Sequence, residues 1–512
     1  MAQHVVVETN CGKIRGVAEN AVNVFKGIPY ASPPEGEGRF APPRKLQPWT
    51  EVRDAFDFGN RAMQDENAFA MPPAMLKLFA GRALPPMSEN CLVLNVWTPA
   101  ANDGRKRPVM FWCHGGAFIS GSGDSPWYDG TNLCRKGDVV VVTINHRLGA
   151  FGYLHLGDFG GEEFAASGNA GMLDIVAALE WVRDNIAAFG GDKGNVTIFG
   201  ESGGGAKVSV LMAMPAAHGL FHKAIIQSGP AVQMASRDDA SETARQLLAE
   251  LGIDAGKVNE LRQVPAQKLA EAQAAVLKKV SMMSFANRRR VGFNPVVDGR
   301  HLPGGPFEPT APAISANVPL IIGTNKDEMN LFFGLAPWLD ELDEAAMRNR
   351  VQMFVGDQAD RIIEPYRRAR PKDSLRDLVL AIATDHAMRI PSLVTADRKV
   401  AQHAAPVFVY MFTWETPVLD GKLKSPHALE IPFVFDTVQT SGLTGDSPTR
   451  FALADKMSRS WLAFARTGNP NHQDVPNWPQ YSTEQRPTMM FDNQCRVEND
   501  PYRAERMAWQ SR

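Results

Sequence analysis

The residues with the greatest chemical potential in this 512-residue chain are Gly200-Glu201-Ser202-Gly203-Gly204, a match to G-x-S-x-G. A serine hydroxyl is a weak nucleophile until a neighbouring base takes its proton, and its Oγ must project from a tight turn. Small flanking residues permit that turn, because backbone segments crowd there. The pattern alone is weak, and its setting decides. Val196-Thr197-Ile198-Phe199 reads as a strand, and Gly203-Gly204-Gly205-Ala206 opens the next element. Strand, turn and helix start suit attack on an acyl carbon, since free N–H groups and the positive helix end stand beside a developing oxyanion.

A second motif, His114-Gly115-Gly116-Ala117, follows the apolar run Val109 to Cys113. An HGG-type loop supplies backbone N–H groups to an oxyanion hole, and glycine lets the backbone approach the substrate. Two such motifs in this order, each after a strand, are much more specific than either alone. The base must then be a histidine in the order Ser, Asp or Glu, His. Downstream of residue 300 stand His301, His386, His403, His427 and His472. His427 lies in Ser425-Pro426-His427-Ala428-Leu429-Glu430-Ile431-Pro432, after the run Val407 to Phe412 and a polar turn. A loop leaving a late strand returns to the nucleophile there. Asp327 and Glu328 both follow Leu320-Ile321-Ile322, and spacing does not choose between them as the acid. His218 and His222 sit four apart with no accompanying carboxylate, a poor metal site. The chemistry needs neither metal nor cofactor.

These residues need a scaffold. Val5 to Glu8, the turn Asn10-Cys11-Gly12 and Ile14 onward read as a hairpin. Short apolar runs at Leu92 to Trp97, Val109 to Cys113, Val139 to Ile144, Val196 to Phe199, Leu320 to Ile322 and Val407 to Phe412 suit strands buried on both faces. Between two of them, Met172 to Phe189 carries Ile175, Val176, Leu179, Val182 and Ile186 at helical spacing, with Glu180, Arg183 and Asp184 toward water and Gly190-Gly191 as a stop. Strand, helix, strand in that order implies parallel pairing. The expected fold is α/β: a central, mostly parallel sheet flanked by helices, one catalytic domain over 1–512. Insertions near 61–88, rich in Met, Ala and Pro, and 339–402, charged and helical in pattern, are expected to shape the pocket.

The chain resembles the type B carboxylesterase family, which includes the cholinesterases, from Val24-Phe25-Lys26-Gly27-Ile28-Pro29-Tyr30-Ala31 to Trp478-Pro479. Phe189-Gly190-Gly191, a four-residue spacer and Val196 to Gly204 fit the family's nucleophile signature. Asn145-His146-Arg147-Leu148, Gln227-Ser228-Gly229 and Pro295-Val296-Val297-Asp298-Gly299 are further landmarks. The likeness is greatest to bacterial para-nitrobenzyl-esterase-type members. It implies the α/β-hydrolase fold, with Ser202 as nucleophile, His427 as base and Glu328, in Gly323-Thr324-Asn325-Lys326-Asp327-Glu328, as acid. It also implies oxyanion donors at the N–H groups of Gly116, Ala117 and Gly203, with Glu201 and Ser228 near the histidine and the acid. The chain departs at Glu89-Asn90-Cys91-Leu92-Val93, where the family usually has E-D-C-L. It departs again at Ala62-Met63-Gln64, where a cysteine partner for Cys91 would stand, and at Gly203, where alanine is commoner.

Composition narrows the partners. A net charge of −2 gives no broad pull toward nucleic acid or an anionic membrane. No apolar run approaches a membrane span, and the first residues lack a secretory pattern, so a cytoplasmic protein without an anchor is expected. The odd number of cysteines, five, with no C-x-x-C, argues against a disulfide framework or a zinc site. Within 61–88 there is no Trp or Tyr, only Phe69 and Phe79 among Met63, Met71, Met75 and Met87, which disfavours a cage for a quaternary ammonium. Phe118, Met329, Phe332, Phe333 and Met388 are pocket candidates. The expected partner is a small neutral, apolar ester with a short to medium acyl or aryl group. Carbamates, amides and pyrethroid-like esters are the alternatives. A non-catalytic adhesion module would lack the nucleophile that Ser202 supplies.

Overall fold

The apolar runs become strands, and their β-branched residues sit where both faces are covered. The computed structural model describes residues 3–66, 72–79, 84–287 and 291–510. They cluster into two units: Met1–Ala70, Arg82–Ile225 and Ala231–Val318 in the first, and Met71–Gly81, Ile226–Pro230 and Pro319–Arg512 in the second.

In the first unit the strands Gln3–Glu8, Lys13–Glu19, Val22–Pro29, Val93–Thr98, Val140–Ile144, Arg107–Cys113 and Gly191–Glu201 are neighbours in that order. The expected hairpin places Val7 opposite Ile14. The first five strands pair antiparallel, and the last three are parallel. Every residue of Arg107–Cys113 and Val140–Ile144 is buried, as strands covered on both faces require. The crossover helix runs Ala170–Asn185, with Ile175, Val176, Leu179 and Val182 buried and Arg183 and Asp184 exposed. A 3₁₀ turn, Ile186–Phe189, then ends at Gly190, whose φ of 73° is left-handed. Beneath the sheet, Arg147 and Asp174 form a buried bidentate pair at 2.6 and 2.8 Å. Register matters for function here: Cys113 lies level with Gly200, so the two motif-bearing loops leave adjacent strands side by side.

In the second unit Leu320–Asn325, Val407–Phe412 and Pro487–Phe491 are parallel, and Arg496–Asn499 closes the edge antiparallel. Asn325 lies level with Phe412, again placing two loop exits together. The stretch 339–402 is helical as expected: Glu344–Val355, Ala359–Ala369, Leu375–Thr384 and Ile390–Val400, with a π-turn at Asp385–Arg389. Its helices share a core of Met347, Val351, Ile362, Tyr366 and Ile382, joined by Trp509 of the helix Arg503–Gln510. Within 61–88, Arg61 bridges to Met87 and Pro73–Phe79 is a helix; Phe69 and Met71 lie outside the described residues. Met63 and Met75 are buried. Among the described residues no helix is long and apolar enough to cross a membrane.

Candidate active site

Ser202 ends the strand Gly191–Glu201 and precedes the helix Gly203–Ala213. Its backbone is held at φ 56°, ψ −123°, a strained conformation for a residue with a side chain. Crowding explains the flanking glycines. A Cβ at Gly200 would lie 2.5 Å from the Gly204 carbonyl carbon, and one at Gly204 would lie 2.0 Å from the Cys113 oxygen. The companion loop also turns through left-handed residues, Gly116 at φ 88° and Ala117 at φ 51°.

That loop is tied down from several sides within the first unit. Lys207, one turn into the helix, donates from Nζ to the carbonyls of His114 at 2.9 Å and Ala117 at 2.7 Å. Gln64 accepts from the Gly121 N–H at 2.7 Å and donates back to the Gly121 carbonyl at 3.0 Å. His114 bonds the Gly115 carbonyl through Nδ1 at 2.8 Å and lies 4.9 Å from the His146 ring. Burial, with Lys207 adding repulsion, pulls the His114 pKa down to about 3, so the ring is neutral. Glu201 is buried against the loop; a Cβ at Gly115 would lie 3.0 Å from its Oε2. Phe118 is buried edge-on to Tyr153 at 5.2 Å. His222 holds the middle of the strand Gly191–Glu201, its backbone N–H donating to the Val196 carbonyl and its Nδ1 accepting from the Val196 N–H.

The second unit carries the histidine. The Lys326 N–H and the Ser425 hydroxyl both donate to the Phe412 carbonyl at 2.9 Å, which folds the loop from residue 413 back onto the strand end. The Asp327 N–H bonds the Ser425 carbonyl at 2.9 Å, and the His427 N–H bonds the Glu328 carbonyl at 3.2 Å. This backbone ladder brings His427 Nδ1 to 2.6 Å from Glu328 Oε2. Of the two carboxylates that spacing left open, Glu328 faces the imidazole. Asp327 instead accepts from the Ser425 N–H at 3.3 Å and lies 3.6 Å from Lys326 Nζ. Glu328 Oε1 accepts the Asn325 N–H at 2.7 Å, so both carboxylate oxygens are fixed. With Nδ1–H donated to Glu328, the neutral ring carries its lone pair on Nε2.

A buried polar chain backs this pair. Asn325 Nδ2 donates to the Pro426 carbonyl and to Glu430 Oε2, each at 2.7 Å. Gln227 Nε2 donates to Glu430 Oε1 at 3.1 Å, and Trp461 donates to Gln227 at 3.0 Å. Burial, then the nearby Glu328 charge, raises the Glu430 pKa to about 7. Ser228, at φ 47°, donates its N–H to Gly323 at 2.9 Å.

Phe332 is 37% exposed with its ring 5.2 Å from that of His427. Met329 is half-buried, its N–H bonded to Thr384; Phe333 packs on Trp338; Met388 is half-buried in the π-turn. Other histidines have other duties: His301 bonds Asp298 at 2.8 Å, and His472 bonds Ser460 at 3.1 Å. Sequence reasoning missed Lys207, Gln64, Asn325, Gln227 and Glu430. A lysine next to the apolar Val208, Val210 and Leu211 was the one visible signal among them.

All five cysteines are free. Cys91 shares the wall of a small cavity with Ala62 and Met63, where a partner would have stood, and burial pushes its thiol pKa well up. Among the described residues no group of three or more His, Cys, Asp or Glu could hold a metal ion.

A family model described as the carboxylesterase family matches residues 3–509. The para-nitrobenzyl esterase of Bacillus subtilis (strain 168) is 38% identical over 504 residues, covering 97% of this chain and 97% of that protein. The phenmedipham hydrolase of Pseudarthrobacter oxydans is 32% identical over 94% of each chain. The solved Geobacillus stearothermophilus carboxylesterase at pH 6.2 superposes with a TM-score of 0.85 at 43% identity, covering 99% of this chain and 100% of that one.

Proposed function

The chain belongs to the carboxylesterase family and is a serine hydrolase of carboxylic esters, and from that premise we propose that Ser202, His427 and Glu328 carry the reaction. The observation behind this reading is the 2.6 Å contact of His427 Nδ1 with a Glu328 carboxylate fixed at both oxygens. In the first step His427 Nε2 takes the Ser202 proton as Oγ bonds the ester carbonyl carbon. The N–H groups of Gly116, Ala117 and Gly203 receive the tetrahedral oxyanion, each supplying about 3 kcal/mol of barrier lowering. Collapse breaks the bond to the alcohol oxygen, which leaves with the proton from His427. Water, deprotonated by His427, then attacks the acyl-enzyme; the second tetrahedral intermediate releases the acid and returns the proton to Ser202. Glu328 stays ionised and stabilises the imidazolium. The whole of 1–512 then serves as one catalytic domain.

The substrate is a neutral ester with an apolar short to medium acyl or aryl group. The exposed Phe332 ring beside His427 supports an apolar contact at the reacting end. Free thiols throughout, and Ala62 and Met63 where a Cys91 partner would stand, support a reducing compartment, the cytoplasm. The test is hydrolysis of a para-nitrobenzyl ester and of p-nitrophenyl acetate, butyrate and octanoate, with a choline ester as the charged comparator. Turnover of the neutral esters that vanishes in a folded Ser202→Ala supports the reading. Undiminished activity in that variant refutes the nucleophile, and a preference for the choline ester refutes the substrate class.

A further inference from the structure

Lys207 is 0% exposed, in a helix whose neighbouring residues Val208 and Val210 are apolar. Helical side chains lean toward the N-terminus, so residue 207 reaches back over 203 and 204. Both are glycine, which leaves room for the lysine stem. Among the described residues no carboxylate pairs with its nitrogen, which is held by the His114 and Ala117 carbonyls and lies 5.4 Å from the Phe118 ring. Burial lowers the Lys207 pKa to about 7, opposed by Cys113 and Glu201. An ammonium whose nitrogen touches carbonyls and no carboxylate is costly to bury.

Its position gives that cost a use. The two carbonyls it binds belong to the peptides on either side of the Gly116 and Ala117 N–H groups. Holding both ends seats this segment on the helix that begins with Gly203. The seat is close: a Cβ at 203 would lie 2.3 Å from Ala117 Cα and 2.4 Å from Ala117 N. A side chain at 203 does not fit a loop drawn in this far.

From this geometry we infer that Lys207 is a positioning residue for the oxyanion hole. Its Nζ clamps the His114–Ala117 loop onto the nucleophile helix and sets where the Gly116 and Ala117 N–H groups stand relative to that of Gly203. The inference rests on the reading of Ser202 as nucleophile. It goes beyond that reading in assigning the oxyanion geometry to a side chain that never touches substrate.

The test uses Lys207→Met and Lys207→Gln in the full chain, with rates counted per serine titrated by a p-nitrophenyl phosphonate. Two ketones of the same shape report binding. An alkyl trifluoromethyl ketone takes Ser202 Oγ at its carbonyl carbon while the proton passes to His427, leaving an oxyanion; the methyl ketone stays neutral. Lys207→Met is expected to lower kcat per titrated serine by about 30- to 300-fold, somewhat less than loss of a direct donor. KM stays within about threefold, trifluoromethyl ketone affinity falls in step with kcat, and methyl ketone affinity holds. Lys207→Gln, whose amide still donates, falls in between and carries the test if the methionine variant does not fold. Gly203→Ala, which pushes the same loop away from the helix, gives the same split between the ketones. Unchanged kcat and oxyanion affinity in a folded variant overturn the inference, as does a loss that strikes both ketones alike, the mark of a loosened fold. Failure of the underlying reading looks different: a wild type that the phosphonate does not titrate, or a fully active Ser202→Ala.

Discussion

Replacing Glu328 with glutamine changes one atom in a side chain whose every partner is known. Oε1 accepts the Asn325 N–H at 2.7 Å, and Oε2 meets His427 Nδ1 at 2.6 Å. The amide must keep its oxygen toward the Asn325 N–H, because an NH₂ there would set donor against donor in a fully buried place. The NH₂ therefore turns to His427, Nδ1 becomes an acceptor, and the ring proton moves to Nε2. That tautomer cannot take the Ser202 proton, and the imidazolium loses its counter-charge. The expected fall in kcat is about 10⁴-fold, as for an amide at the acid position of a serine triad, or about 5.4 kcal/mol of barrier. The fold should survive. The substitution is isosteric, removes a buried charge, and relieves Glu430, whose pKa should come down from about 7 once the Glu328 charge is gone. The assay is kcat on p-nitrophenyl butyrate per folded molecule, with the melting temperature measured alongside. A Glu328→Gln enzyme within tenfold of wild type would refute both the tautomer argument and the assignment of Glu328 as acid.

Three other outcomes are expected. Asp174→Asn leaves Arg147 buried without its counter-ion and should cost about 3–5 kcal/mol in urea unfolding; a loss under about 1 kcal/mol would show that the pair holds little together. Stability should fall on acidification. The folded His114 has its pKa near 3 while the unfolded ring takes a proton below its ordinary 6.5, so the contribution is complete above pH 6.5 and lost as pH drops from there toward 3. The slope is up to about 1.4 kcal/mol per pH unit, His146 adds the same sign, and His114→Gln should flatten it; equal slopes in the two proteins would count against a neutral buried His114. Finally, Ellman titration without reductant should find five thiols in denaturant and negligible reaction at Cys91, Cys113 and Cys134 in the native protein; fewer than five in denaturant would reveal a disulfide and sink the reducing-compartment reading.

What was legible in the chain before folding was whatever short-range physics governs. The strand at Val407 to Phe412 was recognisable because its residues are apolar and rich in β-branched and aromatic types over the length of a buried strand. The glycines around Ser202 were readable because sterics at a strand-to-helix turn act between residues a few positions apart. The same holds for the left-handed turn at Gly190 that stops the crossover helix.

Spacing left open which of two adjacent carboxylates meets the histidine; the resemblance pointed to Glu328, and the tertiary structure supplies the physical reason. That choice spans 99 residues and depends on Asn325 and Phe412 sharing a register, on the Ser425 loop folding back, and on the directions in which Asp327 and Glu328 leave the backbone. Periodicity says nothing about any of these. The roles of Lys207 and Glu430 were hidden for the same reason: a charged residue in an apolar stretch is merely anomalous in one dimension. Its partners are carbonyls and amides brought from 90 or 105 residues away. Sequence by itself determined the apolar strands such as Val109 to Cys113 and Val407 to Phe412 and the tight turn at Ser202, since burial and backbone sterics are local, whereas the strands Val22–Pro29 and Pro487–Phe491 went unread. The pairing and clamping of the polar groups were left to the fold, since hydrogen bonds are directional and their donors and acceptors meet only after the strands have aligned.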